Sequence, residues 1–117
     1  MLKSEINRCF IHLVNFEETK EWYKDVLNFE VGHQGEGVLE FVLNGPNLIL
    51  LQAHVPTITP LPYSVFFFET TDVEKTHQQF KAKGVKVDEI ENFGSSMKGF
   101  HFYDPEGNRL LACTTEG

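Results

Sequence analysis

The sequence has few of the features that mark secreted, membrane or nucleic-acid-binding proteins. Its 117 residues include only two cysteines, too few for a disulfide framework, so a reducing environment is expected. Lys and Arg number 10 against 17 Asp and Glu, and the net charge of −7 repels phosphate backbones. No apolar run approaches the roughly 20 residues of a membrane helix, and residues 1–5 lack a signal peptide's apolar stretch. We therefore predict a cytoplasmic protein with no membrane and no nucleic-acid partner.

The sequence does contain the material for one folded domain. Hydrophobic residues make up 41% of the chain and charged residues 23%, which is ordinary globular composition. A chain of this size buries roughly two thirds of its surface on folding, so its core needs no metal or disulfide. The 11 Phe residues are many for this length and indicate sheet faces packed with aromatic rings.

The first half of the chain has the pattern strand, helix, strand, strand, strand. This module covers about residues 5–54. Its helix is expected to begin after the N-cap Asn15 and to end at a left-handed Asn28. The strands are predicted at residues 6–14, 29–33, 38–44 and 48–54.

The same order of elements repeats after a linker at about residues 55–62, which three prolines interrupt. The second module covers about residues 63–115. Asp72 caps its helix, Gly84 ends it, and residues 91–97 form a loop. The strands are predicted at residues 63–70, 85–90, 100–103 and 109–114.

The two modules also align by residue. Asn15 matches Asp72, and the segment Asn47–Leu50 matches Asn108–Leu111. A repeat of this size indicates a duplicated supersecondary unit.

Two segments carry a family resemblance. Residues 15–29 are similar to the pattern D-L-x-x-S…F-Y…L-G-F, and residues 102–108 to the hairpin motif F-x-D-P-x-G-N. In these segments the chain resembles the vicinal oxygen chelate superfamily, which includes glyoxalase I, bleomycin and fosfomycin resistance proteins and extradiol dioxygenases. The resemblance implies an α+β fold, in which two β-α-β-β-β modules form curved mixed sheets around a pocket within a single domain.

The resemblance also implies which side chains line that pocket. Each helix would pack on the convex side of its sheet, so strand alternation assigns Leu39, Phe41, Phe100 and Phe102 to the helix side. The opposite sides would bind the ligand. The residues predicted there are Arg8, Phe10, His12, Glu40, Val42, Leu50, Gln52, Val65, Phe67, His101, Tyr103 and Leu111.

Metal-dependent members of the superfamily carry His or Glu ligands on the first, fourth, fifth and eighth strands. The resemblance places non-ligating residues at these positions, namely Arg8, Leu50, Val65 and Leu111. A shift of two residues on several strands would offer His12, Gln52 and Cys113 instead. Glyoxalase, fosfomycin transferase and dioxygenase reactions need the metal. We therefore expect no cofactor and a likeness to the metal-free bleomycin resistance proteins, which bind a ligand in a groove, usually as homodimers.

Three polar residues remain in the predicted pocket. Arg8 lies where a metal ligand usually would, and its cation could hold an anionic group. Glu40 and His101 are the candidate catalytic residues, because a carboxylate and a near-neutral imidazole could move a proton. Alternatively, Arg8 and Glu40 pair with each other and carry no chemistry, since buried charges are generally paired.

The sequence therefore leaves three functions open and does not decide whether the protein is an enzyme. We favour a homodimer that binds an aromatic or amphipathic small molecule in a metal-free pocket. The second reading is a metal-dependent lyase, isomerase, thiol transferase or dioxygenase with a shifted site. The third is a metal-free enzyme with Glu40 or His101 as general base.

Overall fold

The computed structural model describes residues 1–60, 62–94 and 96–115. Leu61 of the predicted linker, Ser95 of the predicted loop and residues 116–117 lie outside the described part. The chain divides into two compact units, Met1–Ile58 and Thr59–Gly117. That the two modules form a single domain stays a prediction. No helix in the described part is long and apolar enough to cross a membrane.

The first unit is a four-stranded mixed sheet with a helix on one face. Its elements are β1 (Arg8–Leu13), α1 (Phe16–Leu27), β2 (Glu30–Gly35), β3 (Val38–Val42) and β4 (Asn47–Gln52). The strand order is β1-β4-β3-β2, with β1 parallel to β4 and the other neighbours antiparallel. The predicted order of elements is confirmed, with ends that differ by a few residues.

Helix α1 begins and ends where the sequence predicts. Asn28 is left-handed, with φ 56° and ψ 38°, and its N–H donates to the Lys24 carbonyl. At the start of the helix, the Asn15 carbonyl accepts from the Thr19 N–H at 2.9 Å. The Asn15 side chain makes no capping hydrogen bond, so this N-cap lacks the stabilisation usual for Asn at that position.

The core of the first unit lies between α1 and the sheet, where α1 packs on β1 and β4. Leu39 and Phe41 are fully buried, which confirms that this row faces the core. Alternate residues of the neighbouring strands are buried with them, namely Ile11, Leu13, Leu48 and Leu50, and α1 contributes Phe16, Tyr23 and Val26. The period of two along each strand thus assigns one face of the sheet to the core.

The second unit repeats the order strand, helix and strands with a more irregular sheet. Its elements are β5 (Phe68–Glu69), α2 (Val73–Ala82), β6 (Lys86–Val87), β7 (Glu91–Asn92), β8 (Lys98–Tyr103) and β9 (Arg109–Thr114). The strand order is β5-β9-β8-β6, and β7 also pairs with β8. As predicted, the Asp72 carboxylate caps α2 by accepting from the Lys75 N–H at 3.0 Å.

Two predicted strands of this unit are much shorter in the structure. The strand predicted at 63–70 is reduced to Phe68–Glu69. Before this strand, the Ser64 hydroxyl donates to the Arg109 carbonyl at 3.0 Å, so a side-chain hydrogen bond connects this segment to β9. The strand predicted at 85–90 is likewise reduced to Lys86–Val87.

The loop predicted at 91–97 contains a short strand that the sequence did not predict. Glu91 and Asn92 of β7 pair antiparallel with Gly99 and Lys98 of β8. Beyond Asn92 the chain turns back at once, since the Phe93 N–H donates to the Met97 carbonyl at 2.9 Å. This hydrogen bond continues the pairing of β7 with β8, and Gly94 next to it has φ +97°, a conformation that favours glycine.

Aromatic rings form the core between α2 and its sheet. Phe80 of α2 contacts Phe100 and Phe102 of β8 edge-to-face, with centroids 5.8 and 4.9 Å apart. Phe68 of β5 and His77 of α2 extend this cluster, at 6.3 Å from Phe102 and 4.8 Å from Phe100 respectively. Such pairs stabilise a core beyond the effect of area burial alone. The prediction from the Phe-rich composition is confirmed for this face.

Asp104 closes the hairpin between β8 and β9. Its Oδ1 accepts from the backbone N–H groups of Glu106 and Asn108 at 2.8 and 2.9 Å. Its Oδ2 accepts from the Asn108 side-chain amide at 2.7 Å. Gly107 has φ +87°, a conformation that favours glycine. The motif at residues 102–108 therefore has a structural task, which is to fix the turn that sets the register of β9.

Candidate functional site

Each sheet has a face that its helix does not cover, which we call the helix-free face. In the first unit the register assigns three residues of each of three strands to this face: Arg8, Phe10 and His12 of β1, Asn47, Ile49 and Leu51 of β4, and Val38, Glu40 and Val42 of β3. Five predicted ligand residues, Arg8, Phe10, His12, Glu40 and Val42, thus share one face. Glu40 is half-buried and the other four are exposed. That they bind a ligand stays a prediction.

Glu40 is the centre of a hydrogen-bonded cluster on the first helix-free face. Its Oε2 accepts from the Asn47 amide at 2.9 Å and from Arg8 Nε at 3.3 Å. The Arg8 guanidinium also donates to the Asn7 side-chain oxygen. The hydrogen bond from Asn47 holds the pKa of Glu40 below its usual value, with a smaller contribution from Arg8, while desolvation acts in the opposite direction. The pairing of Arg8 with Glu40 that the sequence allowed is therefore present.

The helix-free face of the second unit carries a second polar cluster. His101 and Tyr103 of β8 share it with Arg109 and Leu111 of β9 and with Lys86 of β6. Next to β6, the Asp88 carboxylate joins the cluster. Its Oδ2 accepts from the Tyr103 hydroxyl at 2.7 Å and lies 3.7 Å from Arg109 Nη2. The hydrogen bond to Asp88 raises the pKa of Tyr103, so the phenol keeps its proton.

His101 has a defined hydrogen-bonding environment in this cluster. Arg109 Nη2 lies 3.3 Å from His101 Nδ1, and a Glu91 carboxylate oxygen lies 4.0 Å from the same nitrogen. The Phe93 ring and the imidazole are arranged edge-to-face, with their ring centroids 6.0 Å apart. Burial, and then the Arg109 charge, lower the pKa of His101, whereas Glu91 and Asp88 act in the opposite direction. The lowered pKa of His101 favours the uncharged imidazole.

The register separates two predicted ligand residues from the others. Leu50 pairs with Leu39 and Ile11 and is fully buried on the α1 face, so its assignment to the pocket side was wrong. Gln52 pairs with Leu13 on that same α1 face, and its assignment was wrong for the same reason. The residues of β4 on the helix-free face are Asn47, Ile49 and Leu51.

Val65 and Phe67 were predicted from the part of a strand, residues 63–67, that is not a strand in the structure. Both precede β5, so strand alternation does not assign them to a face. Val65 is exposed and Phe67 is half-buried. Their role in ligand binding stays a prediction without support from the register.

The error at Leu50 comes from the lengths of the two hairpins. The sequence repeat aligned Asn47 with Asn108, but Glu40 lies opposite Ile49, whereas its counterpart His101 lies opposite Leu111. The connection in the first hairpin is therefore one residue shorter than in the second. A slip of one residue turns every side chain of a strand to the other face.

Arg109 and Asp88 are site residues that the sequence reasoning missed. With the alignment corrected, Arg109 corresponds to Asn47, and each donates to the polar residue of the adjacent strand, His101 or Glu40. Alternation backward from Leu111 could have found Arg109. Asp88 follows a strand of only two residues, where alternation carries no signal.

A surface cavity of about 450 Å³ lies elsewhere in the first unit, between the start of α1 and the turn after β2. Of the predicted ligand residues only Gln52 lines it, together with Phe16, Glu17, Lys20, Gln34, Gly35, Glu36 and Gly37. Lys20 pairs with Glu17 at 3.0 Å. The Gln52 amide donates to the carbonyls of Ala53, Val14 and Leu13 at 2.8, 3.0 and 3.3 Å. The side chains of Lys20, Glu17 and Gln52 in this cavity therefore already have partners.

Residues 5–111 match the model of the Glyoxalase/Bleomycin resistance protein/Dioxygenase superfamily. The chain belongs to this superfamily. The resemblance inferred from residues 15–29 and 102–108 is thereby confirmed. A search of curated proteins found no match.

Solved structures of this superfamily's fold resemble the chain over almost its whole length. Lactoylglutathione lyase from Agrobacterium tumefaciens has 18% identity and a TM-score of 0.77, covering 96% of this chain and 94% of that one. The glyoxalase family protein from Enterococcus faecalis has 22% identity and a TM-score of 0.72, with coverages of 97% and 99%. Oxidase ChaP-H2 has 22% identity and a TM-score of 0.71, with coverages of 97% and 94%. At these identities the likeness shows the fold alone.

The donor chemistry of this superfamily member does not fit a divalent cation. Arg8 is itself a cation, Leu111 is a hydrocarbon, and Leu50 faces α1. On β4 the two residues that flank Leu50 on the helix-free face, Ile49 and Leu51, are hydrocarbons as well. In residues 1–60, 62–94 and 96–115, no three His, Cys, Asp or Glu side chains are grouped to hold a metal ion.

The shifted set of ligands fits no better. His12 and Gln52 lie on opposite faces of their sheet. Cys113 is fully buried, and desolvation raises the pKa of its thiol, which disfavours the thiolate that binds metals. That the protein works without a metal stays a prediction.

Proposed function

We propose that this member of the superfamily binds a small organic molecule, without a resident metal, through residues of its helix-free faces. The observation that carries the proposal is that each of these faces combines a hydrogen-bonded polar cluster with apolar side chains. Glu40 shares its face with Phe10 and Val42, and His101 shares its face with Leu111. Apolar surface with a few placed polar groups is typical of small-molecule sites.

The exposed apolar side chains support binding through the energy that their burial would supply. Phe10 is 53% exposed and Val42 is 42% exposed. A Phe side chain has roughly 200 Å² of surface, so covering the exposed half of Phe10 would contribute about 2 kcal/mol. Such a contribution orients an aromatic or amphipathic ligand towards the polar cluster on the same face.

The state of the two candidate bases favours binding over proton transfer. His101 Nδ1 already accepts a hydrogen bond from Arg109, at 3.3 Å. Glu40 Oε2 accepts from Asn47 and Arg8, and these bonds hold the pKa of Glu40 low. A base whose lone pair is engaged and whose charged form is stabilised takes up a proton less readily. A role of Glu40 and His101 in ligand binding therefore requires fewer changes of their hydrogen bonds than a role in proton transfer.

The first experiment is to measure the metal content of untagged protein, purified without chelator, by elemental mass spectrometry. We expect no stoichiometric metal and no change of the melting temperature on adding Zn²⁺, Ni²⁺, Mn²⁺ or Fe²⁺. A near-stoichiometric amount of any of these metals would contradict the proposal. Assays for lyase, transferase and dioxygenase activity would then come next.

The second experiment is a thermal-shift screen of aromatic and amphipathic compounds on the metal-free protein. Arg8→Ala should weaken the binding of a hit on the first helix-free face, and His101→Ala that of a hit on the second, while the fold stays intact. Lys75→Ala on the exposed side of α2 is the control. A hit that both variants bind as tightly as the wild type would show that the site is assigned to the wrong faces. Chemical conversion of a hit that His101→Ala abolishes would favour the general-base enzyme instead. The homodimer and the cytoplasmic location remain predictions from the sequence.

A further inference from the structure

We infer that Arg109 holds His101 as the Nε2–H tautomer, so that the second helix-free face selects ligands with an uncharged acceptor oxygen. The inference rests on the proposed function and names the ligand class for one of its two clusters. It makes Arg109 a positioning residue, which acts on the ligand through His101.

The tautomer of His101 follows from the chemistry of its neighbour. A guanidinium has hydrogen-bond donors and no acceptor, so the contact of 3.3 Å between Arg109 Nη2 and His101 Nδ1 requires a lone pair on Nδ1. An uncharged imidazole carries one proton, which must then be on Nε2. Within residues 1–60, 62–94 and 96–115, no hydrogen-bond partner of Nε2 is found. This N–H is therefore the group that His101 can offer to a ligand.

Tyr103 offers the opposite polarity. An ionised carboxylate only accepts, so the Tyr103 hydroxyl donates its proton to Asp88 at 2.7 Å. Arg109 also interacts with this hydroxyl oxygen, which leaves it one lone pair for a further donor. His101 and Tyr103 are two residues apart on β8 and point to the same face, about 6–7 Å from each other. The face thus offers one donor and one acceptor at a fixed spacing.

The charged groups in contact with His101 disfavour an anionic ligand there, and the cation of Lys86 lies over the Tyr103 ring instead. Arg109 is already engaged through both Nη atoms, since Nη1 donates to the Pro62 carbonyl at 2.9 Å and Nη2 contacts His101 and Asp88. Its Nε has no hydrogen-bond partner among the described residues, but this atom is buried and so not accessible to a ligand. Its fork is therefore not free for a carboxylate. The Glu91 carboxylate, 4.0 Å from the imidazole, would repel an anion. Phe93, 40% exposed and edge-on to His101, adds apolar surface. The ligand class is an uncharged aromatic compound with a carbonyl-type oxygen and, at the other end, a hydroxyl.

The tautomer can be measured without any ligand. Long-range ¹H–¹⁵N correlation spectra at pH 8 distinguish a protonated from an unprotonated ring nitrogen, and His101→Gln assigns the signals among the five histidines. We expect a protonated Nε2 and an unprotonated Nδ1 in the wild type and in Lys86→Met, which removes another cation of this face. Arg109→Met should populate the Nδ1–H form, for which Glu91 could serve as acceptor. An Nδ1–H tautomer in the wild type would overturn the inference, even if Arg109→Met did not fold.

The ligand class is tested with four matched probes titrated against the His101 signals. 4-Hydroxyacetophenone has both groups, acetophenone lacks the hydroxyl, 4-ethylphenol lacks the carbonyl, and 4-hydroxybenzoate carries a charge. We expect 4-hydroxyacetophenone to bind at least about fivefold more tightly than 4-ethylphenol and 4-hydroxybenzoate, the effect of one hydrogen bond. In His101→Phe the preference over 4-ethylphenol should disappear. Equal binding of the four probes to the wild type, or no effect of any probe on His101, would overturn the ligand class.

The results also separate this inference from the proposed function. If a screened compound binds to the protein but the His101 tautomer is wrong, the inference fails and the proposed function stands. If the tautomer is as inferred and no compound binds anywhere, the proposed function fails and the ligand class fails with it. A hit that perturbs Glu40 and not His101 would leave the proposed function in place and overturn the inference.

Discussion

Replacing Asp104 by alanine should destabilise the second unit by about 2–4 kcal/mol. The side chain is 5% exposed and accepts three hydrogen bonds, two of them from the backbone N–H groups of Glu106 and Asn108. A hydrogen bond to a charged group contributes about 1.5–3 kcal/mol. Both donors lie in a half-buried turn, so water can replace part of the hydrogen bonding that the carboxylate supplies. The expected loss in the free energy of unfolding therefore stays below the sum of the three hydrogen bonds.

A graded pair of variants makes this prediction sharper. Asp104→Asn keeps Oδ1 for the two backbone donors and sets its own amide against that of Asn108, so we expect a smaller loss of about 1–2 kcal/mol. Glu89→Ala, an exposed carboxylate of the same unit, is the control and should stay within about 0.5 kcal/mol of the wild type.

The assay is urea denaturation followed by far-UV circular dichroism, with calorimetry alongside. For a chain of this length, about 1 kcal/mol corresponds to a shift of the melting temperature of roughly 3–6 °C. If Asp104→Ala proved as stable as Glu89→Ala, the hairpin would not depend on this carboxylate. The structural reading of the motif at residues 102–108 would then be refuted.

Three further predictions concern the Glu40 cluster, the two thiols and the oligomeric state. Asn47→Ala should raise the pKa of Glu40 towards 4.5, because the hydrogen bond from Asn47 lowers it most; a carboxyl ¹³C titration that shows no rise would contradict this. Since folding lowers this pKa, the contribution of Glu40 to stability is present above 4.5 and is lost as the pH falls below it, and Asn47→Ala should weaken that dependence in acid denaturation. Iodoacetamide should alkylate half-buried Cys9 before Cys113, whose pKa burial raises; mass spectrometry of the peptides shows the order. Light scattering after size exclusion should give a dimer mass, and a monomer at micromolar concentration would count against the homodimer.

The parts of the fold that depend on residues adjacent in sequence were predicted well. Asn28 ends α1 in the left-handed conformation, and Asp72 caps α2 through its side chain, because both depend on a few successive backbone groups. The turn at Asp104 is equally local. Strand lengths were predicted poorly, since β5 and β6 have two residues each where eight- and six-residue strands were expected. A strand exists only where a partner strand supplies its hydrogen bonds, and that partner is distant in sequence.

The candidate site shows the same division between local and distant information. Alternation along β1, β3 and β8 assigned Arg8, Glu40 and His101 to the helix-free faces correctly. The assignment failed on β4, because the sequence repeat aligned Asn47 with Asn108. The connection of the first hairpin is one residue shorter than that of the second, so these two residues are not structurally equivalent. Only the pairing of Glu40 with Ile49 reveals that difference.

The sequence by itself determined the superfamily, the order of elements, the helix ends and the faces of the strands that carry a clear period of two. These depend on backbone propensities and on hydrophobic alternation, which short segments contain in full. The tertiary structure alone decided the register of β4 and the clusters around Glu40 and His101. Arg109 and Asp88 reach His101 and Tyr103 from other strands and from a loop, at distances set by the pairing of β6, β8 and β9. A hydrogen bond between strands is a property of their register, and the register depends on residues that are not neighbours in the chain.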